Sequence, residues 1–196
     1  MGKEKYIREV ERLFVKSPVL SHSSIERVVN SKKRVKQYTK QLIRNLIIKG
    51  KIKKLAKGFY TSYNESSLAV FCFKPAYLGL QDALSLHNLW EQETIPVIIT
   101  TRKARQGIRN VTGANVLIRR IDKKYFFGFD YYKQGEFVLP YSDVEKTFID
   151  LLYFKEKVDK EIIKNIVKKI DMQKLKYYIR AYPKRFRERI LRITVL

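Results

Sequence analysis

Apolar residues recur along the first sixty positions in two rhythms. Over residues 3–16 they fall at Tyr6, Val10, Leu13 and Phe14, the three-and-four spacing of one helical face, and Ser17-Pro18 stops the pattern. A shorter helix is predicted over residues 21–29, with Ile25, Val28 and Val29 inward. A third runs from Ser31, placed as an N-cap, to Gly50, placed as a left-handed stop. Val35, Tyr38, Leu42 and Leu46 form its apolar stripe. The period then changes. Ile52, Leu55 and Phe59-Tyr60 stand among lysines around a Lys57-Gly58 turn, which predicts a short β-hairpin. Three helices, a tight connection between the second and third, and a hairpin are the order of a winged helix-turn-helix.

The remaining chain is longer and differently patterned. Residues 64–67 read as a linker, so the expected domains are 1–62 and 63–196. Residues 68–73 are an apolar strand or packed segment, in which Cys72 reads as a buried strand thiol. A helix is predicted over residues 78–90. Strands follow over 95–101, 115–121, 125–132 and 137–140, and their short connections suggest a small antiparallel sheet. Ser142 with Glu145 has the spacing of a capping box, opening a helix to about Phe154. Asp159 and Asp171 are expected N-caps for helices over 160–170 and 172–181. Pro183 opens a last segment with Phe186, Ile190 and Ile193 on one face and Arg185, Arg189 and Arg192 on another. The expected class is α+β: an N-terminal winged helix-turn-helix, then a mixed domain with a small sheet and C-terminal helices.

Charge sharpens this picture. The chain has 42 Lys and Arg against 19 Asp and Glu. Residues 1–61 hold 17 of the basic and 4 of the acidic residues, so more than half of the excess lies in under a third of the chain. A polyanion is the expected partner of that segment. Lysine-rich proteomes raise Lys and Glu together, which does not happen here. In a duplex, the third helix would enter the major groove, whose width of ~12 Å admits one helix. Lys33, Arg34, Lys36, Gln37 and Lys40 lie toward its N-terminal half, with Gln41 and Arg44 further on. Gln37 and Gln41 carry the amide geometry that suits adenine, and Arg34 and Arg44 suit guanine or phosphate. Lys51, Lys53, Lys54 and Lys57 belong to the hairpin and are expected on the phosphate backbone. A helix used only to bind protein, with a solvated lysine face, is the plainer alternative.

Catalytic and metal chemistry find little support. There is no Walker-type loop, GxSxG or HExxH. Two His and one Cys, far apart, give no metal-ligand spacing. Asp82 and His87 are five residues apart and do not share a helix face. No catalytic residue, metal or cofactor is therefore expected. An acidic enzyme site among Asp82, Asp130, Glu145 and Asp150, or an RNA-associated basic protein, remain as other readings. No apolar run approaches the ~18–20 residues of a membrane span, and the N-terminus lacks a signal-peptide core, so the cytoplasm is expected.

A family resemblance emerges from residues spread over positions 5–190. Gly50-Lys51-Ile52-Lys53-Lys54-Leu55-Ala56-Lys57-Gly58-Phe59-Tyr60 resembles the G-x-I-x-R-L-x-R-G-x-Y wing of AbiEi-family transcriptional regulators. Leu80-Gln81-Asp82-Ala83-Leu84-Ser85-Leu86-His87-Asn88-Leu89 resembles that family's A-L-x-x-H-G-L helix. Ile98-Ile99-Thr100-Thr101, Phe127-Gly128 and the run from Val144 to Leu152 follow in the family's order. Asn88 stands where the family has Gly, and Lys54 and Lys57 where Arg is common. The resemblance implies an antitoxin of a type IV toxin–antitoxin or phage-defence pair. Such a protein represses its own promoter through the winged helix, and its C-terminal domain opposes a nucleotidyltransferase-like toxin, often without a stable complex.

Overall fold

The computed structural model describes residues 2–30 and 36–195. The chain divides into two compact units: residues 1–72 with 110–114, and residues 73–109 with 115–196. In the first unit, α1 (Gly2–Lys16) is followed by β1 (Leu20–Ser21), α2 (His22–Asn30) and α3 (Lys36–Ile48). Then come β2 (Lys53–Ala56) and β3 (Phe59–Thr61). Val10 and Phe14, Ile25 and Val29, and Leu42, Ile43 and Leu46 are the buried faces of the three helices. They close one core with Leu20, Ile52 and Tyr60. The expected N-cap Ser31 and stripe residue Val35 lie outside the described residues.

Local chemistry explains the stops and turns. Ser21 Oγ accepts from Ser24 N at 3.1 Å and caps α2. Gly50 (φ +67°) ends α3 in the left-handed region, and Gly50 N and Lys51 N donate back to Ile47 O and Leu46 O, each at 2.9 Å. The hairpin turns through Gly58, and β3 pairs antiparallel with both β2 and β1, giving the order β1-β3-β2. Thr61 Oγ1 donates to Pro18 O at 2.7 Å, fastening the end of the hairpin to the segment before β1.

Between Ser66 and Phe73 the backbone forms 3-10 turns, not a strand, and Leu68, Ala69, Val70, Cys72 and Phe73 are buried. An uninterrupted apolar run has neither helical nor strand period, so sequence could not choose its form. Cys72 is thus a buried thiol on a 3-10 turn.

In place of the expected small antiparallel sheet there is a six-stranded mixed one, all of it in the second unit except Asn110 and Val111 of β6 and Ala114 of β7. Its strands are β4 (Ala76–Leu78), β5 (Val97–Thr100), β6 (Gly107–Val111), β7 (Ala114–Arg120), β8 (Phe129–Gln134) and β9 (Phe137–Ser142). Their order is β6-β7-β5-β4-β9-β8. The pairs β4/β9 and β5/β7 are parallel, while β4/β5 and β8/β9 are antiparallel. Leu78, expected to start a helix, instead pairs with Ile98 and Tyr141. The helix there, α4 (Leu80–Leu86), is correspondingly short. Gly79 precedes it where a Cβ would come within 2.5 Å of Ile99 Cδ1, so any larger residue at this corner would require the Ile99 side chain to shift. Asn88 (φ +54°) ends that region, a conformation asparagine tolerates. Tyr125 belongs to a 3-10 turn (Lys123–Tyr125), not to a strand.

Helix α5 (Val144–Tyr153) is central: every residue from Glu145 to Leu152 is buried. Around it pack α6 (Lys160–Lys169), α7 (Met172–Ile179) and α8 (Lys184–Thr194), contributing Ile166, Leu175, Ile179 and Ile190 to the core. Asp171 caps α7 by accepting from Gln173 N and Lys174 N. Asp159 precedes α6 without a side-chain cap bond.

Candidate nucleic-acid interface

The residues singled out for a polyanion gather on the first unit. Lys33 and Arg34 lie outside the described residues, and of Lys36 and Gln37 only the backbone, in the first turn of α3, is described. Lys40, Gln41 and Arg44 are exposed, whereas Thr39, Leu42, Ile43 and Leu46 are buried. That split follows from the 100° step of a helix: Lys40 and Arg44 are one turn apart, and Gln41 stands beside them. Gln41 Nε2 donates to Asn45 Oδ1 at 3.1 Å, which orients its amide along the exposed face.

The hairpin lysines differ from one another. Lys54 and Lys57 are exposed. Lys53 is half-buried and donates to Asn64 Oδ1. Lys51 is exposed but pairs with Glu11 at 2.6 Å, so one of the few acidic residues of this unit already offsets it. Lys54 and Lys57 are therefore the cations the hairpin offers most openly.

A shallow hollow of about 300 Å³ joins the two elements. Lys40, Arg44 and Lys54 line it with His22, above Ile43, Ile47, Ile48 and Tyr60. His22 was not singled out by its sequence context. Its backbone N donates to Gly58 O at 2.7 Å, so the first residue of α2 is tied to the hairpin turn. Only the pairing of α2 with the hairpin brings this side chain beside the cations.

The carboxylates considered for catalysis sit in the second unit and are occupied. The helix cap is Asp143, which accepts from Lys146 N at 2.7 Å, one residue later than the expected Ser142. Ser142 Oγ instead bonds with Thr147 Oγ1 at 2.7 Å. Glu145 does not close a capping box. It accepts from Asp171 N at 2.8 Å and pairs with Lys174 at 3.1 Å. Deeper in, Lys146 pairs with Asp150 and both are 0% exposed. Tyr77 OH donates to Asp150 Oδ2 at 2.7 Å, and Tyr182 OH lies 3.4 Å from the ammonium. Burial pushes the Asp150 carboxyl up and the Lys146 ammonium down, each toward neutrality, while their mutual contact pulls both back. Burial, with Asp150 nearby, also holds the Tyr77 hydroxyl well above its usual range. Asp82 contacts Val97 N at 3.4 Å, while His87 Nε2 lies 2.8 Å from Ser142 O. The two do not meet. Asp130 is exposed and accepts from Tyr131 N.

Among the described residues, no group of three or more His, Cys, Asp or Glu could hold a metal ion. Among them, too, no helix is long and apolar enough to cross a membrane.

Neither a family model nor a curated protein matches the chain. Among solved structures, it is similar to the RV2827C protein from Mycobacterium tuberculosis, with a TM-score of 0.64 and 10% identity. The likeness covers 97% of this chain and 76% of that one. At that identity it speaks for the fold alone, an α+β arrangement with a mixed sheet.

Proposed function

We propose that the protein binds duplex DNA through a winged helix-turn-helix made by α1–α3 and the β2–β3 hairpin, and that it represses its own promoter. The observation that carries this reading is the exposed row Lys40, Gln41 and Arg44 on α3, continued by Lys54 across the hollow and by Lys57 near the hairpin turn. An exposed helix face fits a major groove, and a basic hairpin beside it fits the flanking phosphates. The lysines supply affinity that does not depend on sequence. Gln41 and Arg44, with Arg34 and Gln37, are the side chains whose geometry can discriminate bases.

The second unit would then serve a separate role. Following the AbiEi resemblance, that role is antitoxin: it opposes a nucleotidyltransferase-like toxin encoded beside it in the cytoplasm. The engagement of Glu145 and Asp150 by Lys174, Lys146, Tyr77 and the Asp171 backbone supports a non-catalytic second unit.

A gel-shift comparison tests the DNA reading. The protein should shift its own upstream duplex, and a single-stranded RNA of equal length should bind more weakly at every salt concentration. With about six phosphates neutralised, log K should fall with log salt at a slope of about −5. Preference for the RNA would overturn the reading. Co-expression with the product of the neighbouring reading frame tests the antitoxin role: growth arrest by that product should be relieved by the second unit's presence in the full chain.

A further inference from the structure

A groove of about 700 Å³ runs between α6 and α8 of the second unit. Ile163 and Val167 of α6 and Ile193 of α8 line it, and all three are half-buried. The other lining residues are Lys160, Lys164 and Lys168, all exposed. Among the described residues none of these lysines has an ion-pair partner. They stand at i, i+4 and i+8 of one helix, so their ammonium groups repeat once per turn over ~12 Å. An aliphatic strip with a purely cationic border is an unfinished amphipathic contact.

We propose that this groove docks an amphipathic helix of a partner protein, one that carries carboxylates a turn apart beside a row of aliphatic side chains. Each feature of the groove then has its counterpart. Carboxylates at i, i+4 and i+8 match the lysine row in spacing and in sign. Leucine-like side chains at the intervening i+3 and i+7 positions cover Ile163, Val167 and Ile193. A nucleic acid would satisfy the lysines but press hydrated phosphate and sugar against the aliphatic strip. A second copy of this chain, with 42 basic against 19 acidic residues, would bring like charge to the lysine row. A small apolar ligand would leave the lysine row without use. This inference concerns the second unit only and does not depend on the DNA reading.

The test uses the full chain and a labelled 16-residue helical peptide with Glu at every fourth position and Leu at the i+3 and i+7 positions. Fluorescence anisotropy should report saturable binding that weakens about tenfold or more in the Lys160→Glu/Lys164→Glu/Lys168→Glu variant. A peptide with Lys in place of Glu should bind that variant and not the parent chain. Ile193→Asp should also weaken binding about tenfold. If Ile193→Asp loses its circular dichroism spectrum, the charge-reversal pair decides, because those three lysines are exposed. Lys40→Ala/Arg44→Ala should leave peptide binding unchanged. The proposal is overturned if the peptide does not bind saturably, or if the triple variant binds it as well as the parent. It is equally overturned if Lys40→Ala/Arg44→Ala removes the binding. It also fails if the triple substitution removes binding to phosphatidylserine vesicles or duplex DNA, or dissociates a dimer, without altering peptide affinity.

Discussion

The two units handle charge in opposite ways. In the first, the core of Val10, Phe14, Ile25, Leu42, Leu46 and their neighbours holds no charged side chain among the described residues, and the described cations other than the half-buried Lys53 are exposed. In the second, Asp143, Glu145, Lys146 and Asp150 are drawn inside, on a helix that strands and helices surround. An exposed lysine keeps its hydration and its field reaches an approaching polyanion. A buried one has lost its hydration, and its charge is tolerable only because Asp150 is held against it. Density of charge along a sequence therefore says little until exposure is known. The first unit leaves its charge exposed, and the second encloses part of its charge, the Lys146–Asp150 pair, in its own core.

Breaking the buried pair should give the largest effect. Asp150→Ala leaves the Lys146 ammonium and the Tyr77 hydroxyl without their acceptor, and should cost about 3–5 kcal/mol in chemical denaturation. Lys146→Met/Asp150→Leu, which removes both charges, should recover most of that loss. A cost under about 1 kcal/mol for Asp150→Ala would show that the pair does not specify the core.

Next comes a change of shape with no change of charge. Gly128 has φ +71°, and a Cβ there would lie 2.8 Å from Lys146 Cβ and 2.9 Å from Tyr178 Cε2. Gly128→Ala should lower stability by about 2 kcal/mol or more, read by the same denaturation, because neither neighbour is the loose end of a flexible side chain.

On the exposed side, Lys40→Ala/Arg44→Ala should leave the melting temperature nearly unchanged. Duplex affinity should fall about 10- to 100-fold, with the salt slope reduced by about two. Unchanged duplex binding would remove α3 from the interface and erase the contrast between the units.

The smallest effect is expected where the contrast is weakest. Glu11→Ala frees Lys51 from a pair in which both side chains are nearly half exposed. Stability should change by less than about 1 kcal/mol. Duplex affinity should rise slightly at low salt, since a negative charge has left a basic surface.

Elements set by near neighbours were legible in the sequence. Gly50 closes α3, Gly58 turns the hairpin, Asp171 caps α7 and Pro183 precedes α8, because a cap or turn is decided within a few residues. The exposed position of Lys40, Gln41 and Arg44 likewise follows from helical period alone. The sheet was not legible. Leu78 and Tyr141 meet across sixty-odd residues, and parallel pairing leaves no local turn to announce it. The shift of the cap from Ser142 to Asp143 was hidden too, since both residue types cap well and only the partners of Ser142, Thr147 among them, decided between them.

By itself, then, the sequence determined the period of most helices, stops such as Pro18 and Gly50, and the concentration of positive charge in the first sixty residues, but not the bounds of α4 or the cap of α5. Those follow from covalent neighbours and from counting. The tertiary structure decided which charges meet water. Lys146 and Asp150 are four apart on a helix, a spacing that does not by itself tell a buried pair from a solvated one. Tyr77, Gly128 and Tyr182, brought from distant parts of the chain, make them the centre of a core. His22 joins Lys40, Arg44 and Lys54 for the same reason: the hydrogen bond from His22 N to Gly58 O, with the β1–β3 pairing, not sequence proximity, sets the distance between them.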